Sequence, residues 1–242
     1  MVKAIATNLI CLGGTVLFLL HAPARGSLIV TQWSLETGVI GSSGQDGIGS
    51  YSVQNPFADV QTASWGPSTA RTAFDLSWGS DSGDFLIEAS HRAFDIDSGV
   101  LRSLSYGGIY ITGSTDLLIT IDGNYSYSLP VYPMYTVFTA GVSDIQPPHD
   151  SPWGEGYSYD TVNGAPASGT FSMSGQAVLP AGHTWSISYS MYVETYYGAT
   201  GQIAAGDGYV HFTLSEVPEP AAFLLVALGA PLIWRRHTNR PR

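Results

Sequence analysis

Hydrophobic and polar residues alternate with a period of two through much of residues 27–216, and helical periodicity is almost absent there. The pattern is clearest in residues 184–194 and 208–216, where one side of each predicted strand is apolar and the other is polar. In residues 184–194 the predicted inward side chains are Trp185, Ile187, Tyr189, Met191 and Val193, and the outward ones are Ser186, Ser188, Ser190, Tyr192 and Glu194. Further predicted strands cover residues 28–34, 72–78, 84–89, 108–112, 117–122, 125–129, 134–140 and 170–175.

Glycine, proline and other turn residues separate these segments. Asp122-Gly123-Asn124 lies between two predicted strands and is typical of a hairpin turn. Residues 37–49 are rich in glycine and serine, which predicts a flexible surface loop, and residues 145–168 predict a second, irregular loop. About ten short strands without intervening helices predict an all-β fold, an antiparallel β-sandwich or jelly roll.

Charge is distributed unevenly along the chain. Residues 27–216 contain eighteen acidic residues and only three bases, Arg71, Arg92 and Arg102, so this segment has a net charge of −15. A surface of this sign repels phosphate backbones, because nucleic-acid affinity depends on the neutralisation of phosphates by Lys and Arg. We therefore expect no nucleic-acid partner.

The first residues have the layout of a secretory signal peptide. Lys3 supplies a short positive region, residues 4–20 are mostly apolar, and Ala22 and Ala24 are the small residues that signal peptidase requires. Cleavage after Ala24 is the first expectation, with cleavage after Gly26 or an uncleaved anchor as alternatives. Since Cys11 is the only cysteine, a mature chain cleaved here has no thiol and no disulfide.

The last residues contain a second apolar run. Residues 221–234 carry no polar side chain other than the indole of Trp234, and Arg235 and Arg236 follow at once. A helix of this length spans about 21 Å, against about 30 Å for the hydrocarbon core of a bilayer. The run has no polar face, and the arginines favour a cytoplasmic end, so it predicts one short hydrophobic helix inserted in a membrane.

Pro218, Glu219 and Pro220, preceded by Val217, stand directly before this apolar run. The order of Pro-Glu-Pro, hydrophobic helix and basic end (Arg235, Arg236, Arg240 and Arg242) resembles the PEP-CTERM sorting signal of Gram-negative bacteria. The resemblance covers residues 217–242. It implies export, transient retention in the inner membrane, processing by an exosortase-type membrane protease, and a final place at the cell surface or outside the cell, often beside extracellular polysaccharide. A plain C-terminal anchor is the alternative.

These features divide the chain into a signal peptide (residues 1–24), a β-sandwich domain (residues 25–216) and a sorting tail (residues 217–242). The domain shows no catalytic constellation, so we expect neither an enzyme nor a cofactor. His91, His149, His183 and His211 lack the helical i, i+4 spacing of zinc proteases. Asp95 and Asp97 form a weak Ca²⁺ candidate, which lacks the other ligands of an EF-hand loop.

The main expectation is therefore an exported, non-enzymatic component of the cell envelope or extracellular matrix. One alternative is a lectin-like carbohydrate-binding module, in which Trp153, Tyr157 and Tyr192 stack on sugar rings, although tyrosine is also common on sheet surfaces. The other alternative is a secreted polysaccharide hydrolase. It requires two carboxylates that face each other across a cleft, and the candidates are Glu36, Glu88, Glu155 and Glu194.

Overall fold

The computed structural model describes residues 26–41, 44–50, 54–94, 99–130, 133–161, 167–196 and 201–217. These residues form twelve strands: β1 (Leu28–Gly41), β2 (Gly44–Ser50), β3 (Phe57–Trp65), β4 (Ser68–Trp78), β5 (Ser82–Phe94), β6 (Leu101–Gly113), β7 (Leu117–Leu129), β8 (Met134–Asp144), β9 (Trp153–Asp160), β10 (Ala167–Leu179), β11 (Thr184–Thr195) and β12 (Ile203–Glu216).

The strands make two six-stranded sheets. Sheet A has the order β2-β1-β6-β11-β8-β9, and sheet B has the order β10-β7-β12-β5-β4-β3. Every neighbouring pair is antiparallel. The expected fold class, an all-β antiparallel sandwich, is confirmed.

The period-two alternation separates the inner faces of the sheets from their outer faces. On β11 the five predicted inward side chains, from Trp185 to Val193, are all buried, and on β12 the same holds for Val210, Phe212 and Leu214. The core between the sheets is centred on large side chains that are 0–2% exposed, among them Trp33, Phe74, Phe85, Phe138 and Phe212. Burial of this apolar surface is the main stabilising contribution.

The prediction of a flexible loop over residues 37–49 is wrong. Strand β1 continues to Gly41, and β2 pairs with it from Leu35↔Ser50 to Gly41↔Gly44. Glycine lowers strand propensity, but its backbone N–H and C=O still join a ladder, and here β1 is already fixed by β6 on its other side.

Two further local predictions need correction. The irregular loop over residues 145–168 contains β9, which extends sheet A beyond β8. The hairpin turn at residues 122–124 does not form, because β7 runs straight through it and pairs with β10 and β12 on both sides. Core packing requires glycine at position 123, since a Cβ on Gly123 would lie 2.8 Å from Cζ of the buried Phe138 ring.

The first and last described residues lie at the same end of the sandwich, which we call the base. The Ser27 N–H donates to Ser114 Oγ (2.8 Å), and the Thr115 hydroxyl donates to Glu216 Oε1 (2.9 Å). The end of β1, the start of β2, the start of β6 and the end of β11 lie at the opposite end, the tip, where the Thr195 hydroxyl donates to the Leu101 carbonyl (3.4 Å).

The predicted terminal segments lie outside the described residues. These include the cleavage residues Ala22 and Ala24, the sorting residues Pro218, Glu219 and Pro220, the apolar run and the terminal arginines. Within the described ranges the structure contains no helix with the length and apolar character needed to span a bilayer.

Candidate functional site

A groove of about 580 Å³ lies on the outer face of sheet A, in the half nearer the tip. Strands β2, β1 and β6 form its floor and walls. Its lining residues are Glu36, Thr37, Gly38, Ile40, Gln45, Asp46, Gly47, Ile48, Gly49, Leu104 and Tyr106. The volume is in the range of small-molecule sites, about 300–1,000 Å³.

The floor of the groove is flat because glycines stand where other strands carry side chains. Gly38 and Gly47 are register partners on β1 and β2. A Cβ at Gly38 would meet its nearest atom at 3.4 Å, and one at Gly47 at 3.6 Å, which are ordinary contacts. The fold therefore does not require glycine at either position. Glycine inside a strand lowers stability and often marks close approach by a ligand or another backbone.

Among the described lining residues, Tyr106 is the aromatic one. It is 40% exposed, and its hydroxyl donates a hydrogen bond to the carboxylate of Glu36, its register partner on β1. This bond orients the Tyr106 ring by linking it to β1. Ile40 and Ile48 are also exposed, at 41% and 46%, and give the groove an apolar rim.

The polar groups of the groove are acidic or neutral. Asp46 turns its carboxylate away toward β3, where it accepts a hydrogen bond from the Ser64 N–H (2.7 Å). Glu36 and the carboxamide of Gln45 provide hydrogen-bond groups in the groove, and no Lys or Arg lines it in the part of the chain that the structure describes. The arrangement suits a ligand with hydroxyl groups and an apolar face, and it disfavours an anion.

The structure places Trp153 and Tyr157 between the sheets rather than on an exposed platform. Both lie on β9 and pack against the core. Tyr157 stacks on Phe171 of β10 with ring centroids 5.4 Å apart. The indole of Trp153 fills the space over Gly175, where a Cβ would lie 2.0 Å from Nε1. These aromatic side chains close the open edge between β9 and β10.

Tyr192 lies on the outer face of sheet A, next to the groove residue Leu104 in the register of β11 and β6. Its ring is covered by Arg102, whose guanidinium carbon is 4.7 Å from the ring centroid. Arg102 also forms an ion pair with Glu194 (2.5 Å), a carboxylate that is only 2% exposed. Tyr192 thus packs against an ion pair beside the groove in which the carboxylate is buried and the guanidinium is partly exposed.

Two histidine–carboxylate pairs lie elsewhere on the sandwich. His183 Nδ1 is 2.5 Å from Asp144 Oδ2, and His211 Nε2 is 2.7 Å from Asp84 Oδ1. Burial opposes ionisation of Asp144, but the Gln146 N–H and His183 outweigh it and keep the pKa of this carboxyl below its usual range. The described residues contain no group of three or more His, Cys, Asp or Glu that could hold a metal ion, and the Ca²⁺ candidates Asp95 and Asp97 lie outside them.

Sequence reasoning did not identify Tyr106 or the groove, although it named Glu36. The groove depends on the pairing of β1 with β2, and residues 37–49 were expected to be a loop. The available signal was the spacing of Gly38 and Gly41 against Gly44 and Gly47, which is symmetric about positions 42 and 43 of the sequence.

No protein-family model matches this chain, and no curated protein does either. A solved chain described as "CBM4 structure and function" aligns with 66% of this chain and 78% of its own length, at 10% identity and a TM-score of 0.20. A chain of infectious bursal disease virus, Gx strain, aligns with 81% of this chain and 63% of its own, at 11% identity and a TM-score of 0.26. The VP2 subviral particle of that virus gives 9% identity and a TM-score of 0.20, covering 81% and 67%. At these TM-scores the likenesses carry no argument about function.

Proposed function

We propose that this protein is an exported, non-enzymatic component of the bacterial cell envelope or extracellular matrix, and that its β-sandwich binds a neutral polysaccharide in the groove of sheet A. The observation that carries the binding proposal is the combination, in one groove, of a glycine floor with an oriented, exposed tyrosine.

The chemistry of the groove suits a sugar ring. The apolar face of a pyranose packs on the Tyr106 ring, while its hydroxyl groups exchange hydrogen bonds with Glu36 and Gln45. Small-molecule sites commonly combine aromatic surface with a few polar groups in this way. The net charge of −15 on residues 27–216 disfavours an anionic polymer.

The placement of the two domain ends supports display at a surface. Ser27 and Glu216 lie at the base, whereas the groove lies in the half nearer the tip. A tail that follows Val217 and holds the protein at a membrane would leave from the base. The groove would then be presented away from that membrane.

Replacing Tyr106 with alanine tests the binding site. We expect the exported protein to bind neutral gluco-, xylo- or manno-oligosaccharides and Tyr106→Ala to weaken binding about tenfold, the loss expected for one aromatic contact of about 1.4 kcal/mol. The measurement is isothermal titration calorimetry. Tyr110→Ala is the matched control, because Tyr110 lies on the same face of the same strand and outside the groove lining.

Equal binding by the Tyr106→Ala and Tyr110→Ala variants, or no binding to any neutral oligosaccharide, would refute the groove as a carbohydrate site. The same mixtures are assayed for new reducing ends. Hydrolysis that is lost in Glu36→Gln would replace the binding function with the hydrolase alternative.

Intact-mass analysis of the native protein tests export and sorting separately. We expect a mass that lacks residues 1–24 and the residues beyond Pro218-Glu219-Pro220, recovered at the cell surface or in the medium. A mass that retains residues 221–242, found in the membrane fraction, would instead indicate a permanent anchor.

A further inference from the structure

The two sheets have four edge strands among the strands that the structure describes, and these edges differ in charge. Strand β2 carries Asp46, β3 carries Asp59, and β9 carries Glu155 and Asp160. Strand β10 contains thirteen residues, ASGTFSMSGQAVL, with no charged residue and no proline. An edge of this kind offers an unprotected row of backbone N–H and C=O groups to another strand.

Strand β10 is paired along its whole length. It pairs with β7 at every position from Ala167↔Leu129 to Leu179↔Leu117, without a bulge. Outward side chains are tied to β7: the Asn124 amide donates to Ser172 Oγ (3.1 Å), and the Gln176 amide donates to Thr120 Oγ1 (3.3 Å).

The inward side of β10 is fixed as well. Phe171 stacks between Tyr127 and Tyr157, with centroid distances of 4.7 and 5.4 Å. The edge is therefore already ordered, and a strand that joins it meets little cost of ordering β10 itself.

We propose that two copies of this chain pair through β10, antiparallel and across a two-fold axis, so that the two B sheets join into one. Two-fold pairing brings each edge against itself, and with full overlap the axis passes Met173 and places Ser172 opposite Ser174 of the partner subunit. Like charges opposite each other destabilise a sheet, so a self-pairing strand must be uncharged near its axis.

The absence of charged residues on β10 is the reason for proposing a second copy of this chain as its partner. The domain carries a net charge of −15, and two such domains repel each other at most surfaces. Strand β10 meets a copy of itself without opposing charges, and its outward side chains Ser168, Thr170, Ser172, Ser174, Gln176 and Val178 are exposed and uncharged.

Antiparallel pairing has a consequence for a tethered protein. Strand β10 runs along the tip-to-base direction, because it pairs with β7, which begins next to the Asp116 carbonyl that receives the Val217 N–H at the base (2.9 Å). Paired copies therefore have their bases at opposite ends. If the proposed tail tethers the protein to a membrane, then the pair links proteins on two facing surfaces. Copies that are released from the membrane pair in solution, so the pairing itself does not depend on the tether.

Substitution of Ser172 with lysine tests the pairing. Sedimentation velocity and light scattering of the exported protein over a concentration series are expected to show a monomer–dimer equilibrium, with the dissociation constant of Ser172→Lys raised at least tenfold. Ser215→Lys is the control. Ser215 is exposed on the central strand β12, so this substitution adds the same charge at a position that is not on the edge of the sheet.

A wild-type protein that stays monomeric over the series would overturn the proposal, and so would equal dimerisation of the Ser172→Lys and Ser215→Lys variants. Circular dichroism of both variants establishes that each is folded. Since the measurement contains no oligosaccharide, its result is independent of the carbohydrate site.

Discussion

Arg102→Ala is expected to remove about 3 kcal/mol from the free energy of unfolding. The substitution deletes the ion-pair partner of Glu194, whose carboxylate is 2% exposed and which Arg102 contacts through both Nε and Nη2 at 2.5 Å. Removal of one member of a buried pair leaves an uncompensated charge, which costs about 3–5 kcal/mol. We place the loss at the lower end because the Arg102 side chain is itself 41% exposed.

Aromatic side chains surround the Arg102–Glu194 ion pair and increase the expected cost of losing Arg102. The Arg102 guanidinium lies on the Tyr192 ring, and Tyr135 packs against Tyr192 with centroids 6.0 Å apart. Burial and the Glu194 carboxylate raise the pKa of Tyr196 to about 12, which keeps its hydroxyl protonated as a donor to Glu194. These contacts exclude water that would otherwise solvate the carboxylate after the loss of Arg102.

Urea unfolding measures the effect as a lower midpoint at an unchanged m-value. Arg71→Ala is the control: Arg71 is an exposed arginine on β4, and its loss is expected to change stability by less than about 0.5 kcal/mol. In the double variant Arg102→Ala with Glu194→Gln we expect most of the loss to be recovered, because the buried charge is gone. Arg102→Ala and Arg71→Ala of equal stability would contradict this account of the ion pair.

The sequence predicts a strand best where apolar residues on one face alternate with polar residues on the other. Strands β11 and β12 alternate cleanly, and their inward residues are buried as expected. Glu194 is a partial exception. It lies on the predicted outer face of β11, yet it is buried because Arg102 comes from the neighbouring strand β6, 92 residues away in the chain. Such a partner follows from the register, which the pattern of one strand does not specify.

Strands with weak propensity are the ones that sequence reasoning misses. Strand β2 contains three glycines in seven residues, β9 follows a proline-rich segment, and β3 was not predicted. Each is an edge strand, stabilised by one neighbour and by contacts across the sandwich rather than by its own composition. The groove lies on one of these strands, so neither its floor nor the exposure of Tyr106 could be predicted from local sequence.

Aromatic residues illustrate a related limit. Tyr157, Tyr106 and Tyr192 all stand in strand segments, and composition does not distinguish them. The structure separates their environments: Tyr157 is stacked between the sheets, Tyr192 is covered by Arg102, and Tyr106 is exposed in the groove. The face of a tyrosine depends on register, and its cover depends on residues distant in the chain.

Acidification is expected to destabilise the protein by about 3 kcal/mol between pH 8 and pH 4 through His91 alone. His91 lies on β5, is 0% exposed, and has Nδ1 2.8 Å from the Tyr125 hydroxyl, while its Nε2 has no hydrogen-bond partner among the described residues. Burial lowers the pKa of His91 from 6.5 to about 3, because the imidazolium would lose its hydration between the sheets.

The sign of the effect follows from proton binding. Between pH 6.5 and about 3 the unfolded chain binds a proton at His91 and the folded protein does not, so the free energy of unfolding falls as the pH falls. The full stability is present above pH 6.5, where the imidazole is neutral in both states. Each pH unit inside this window changes the free energy of unfolding by about 1.4 kcal/mol.

His91→Gln is expected to flatten this part of the pH dependence, because a carboxamide keeps a hydrogen bond to Tyr125 and does not titrate. Urea unfolding at a series of pH values from 4 to 8 measures the slope. Thr72→Val is the control. Thr72 is buried on the neighbouring strand β4 and carries no titratable group, so its variant should retain the wild-type slope. If His91→Gln and wild type lost equal stability on acidification, then the loss would come from the carboxylates, and the buried imidazole would not control the acid stability of this sandwich.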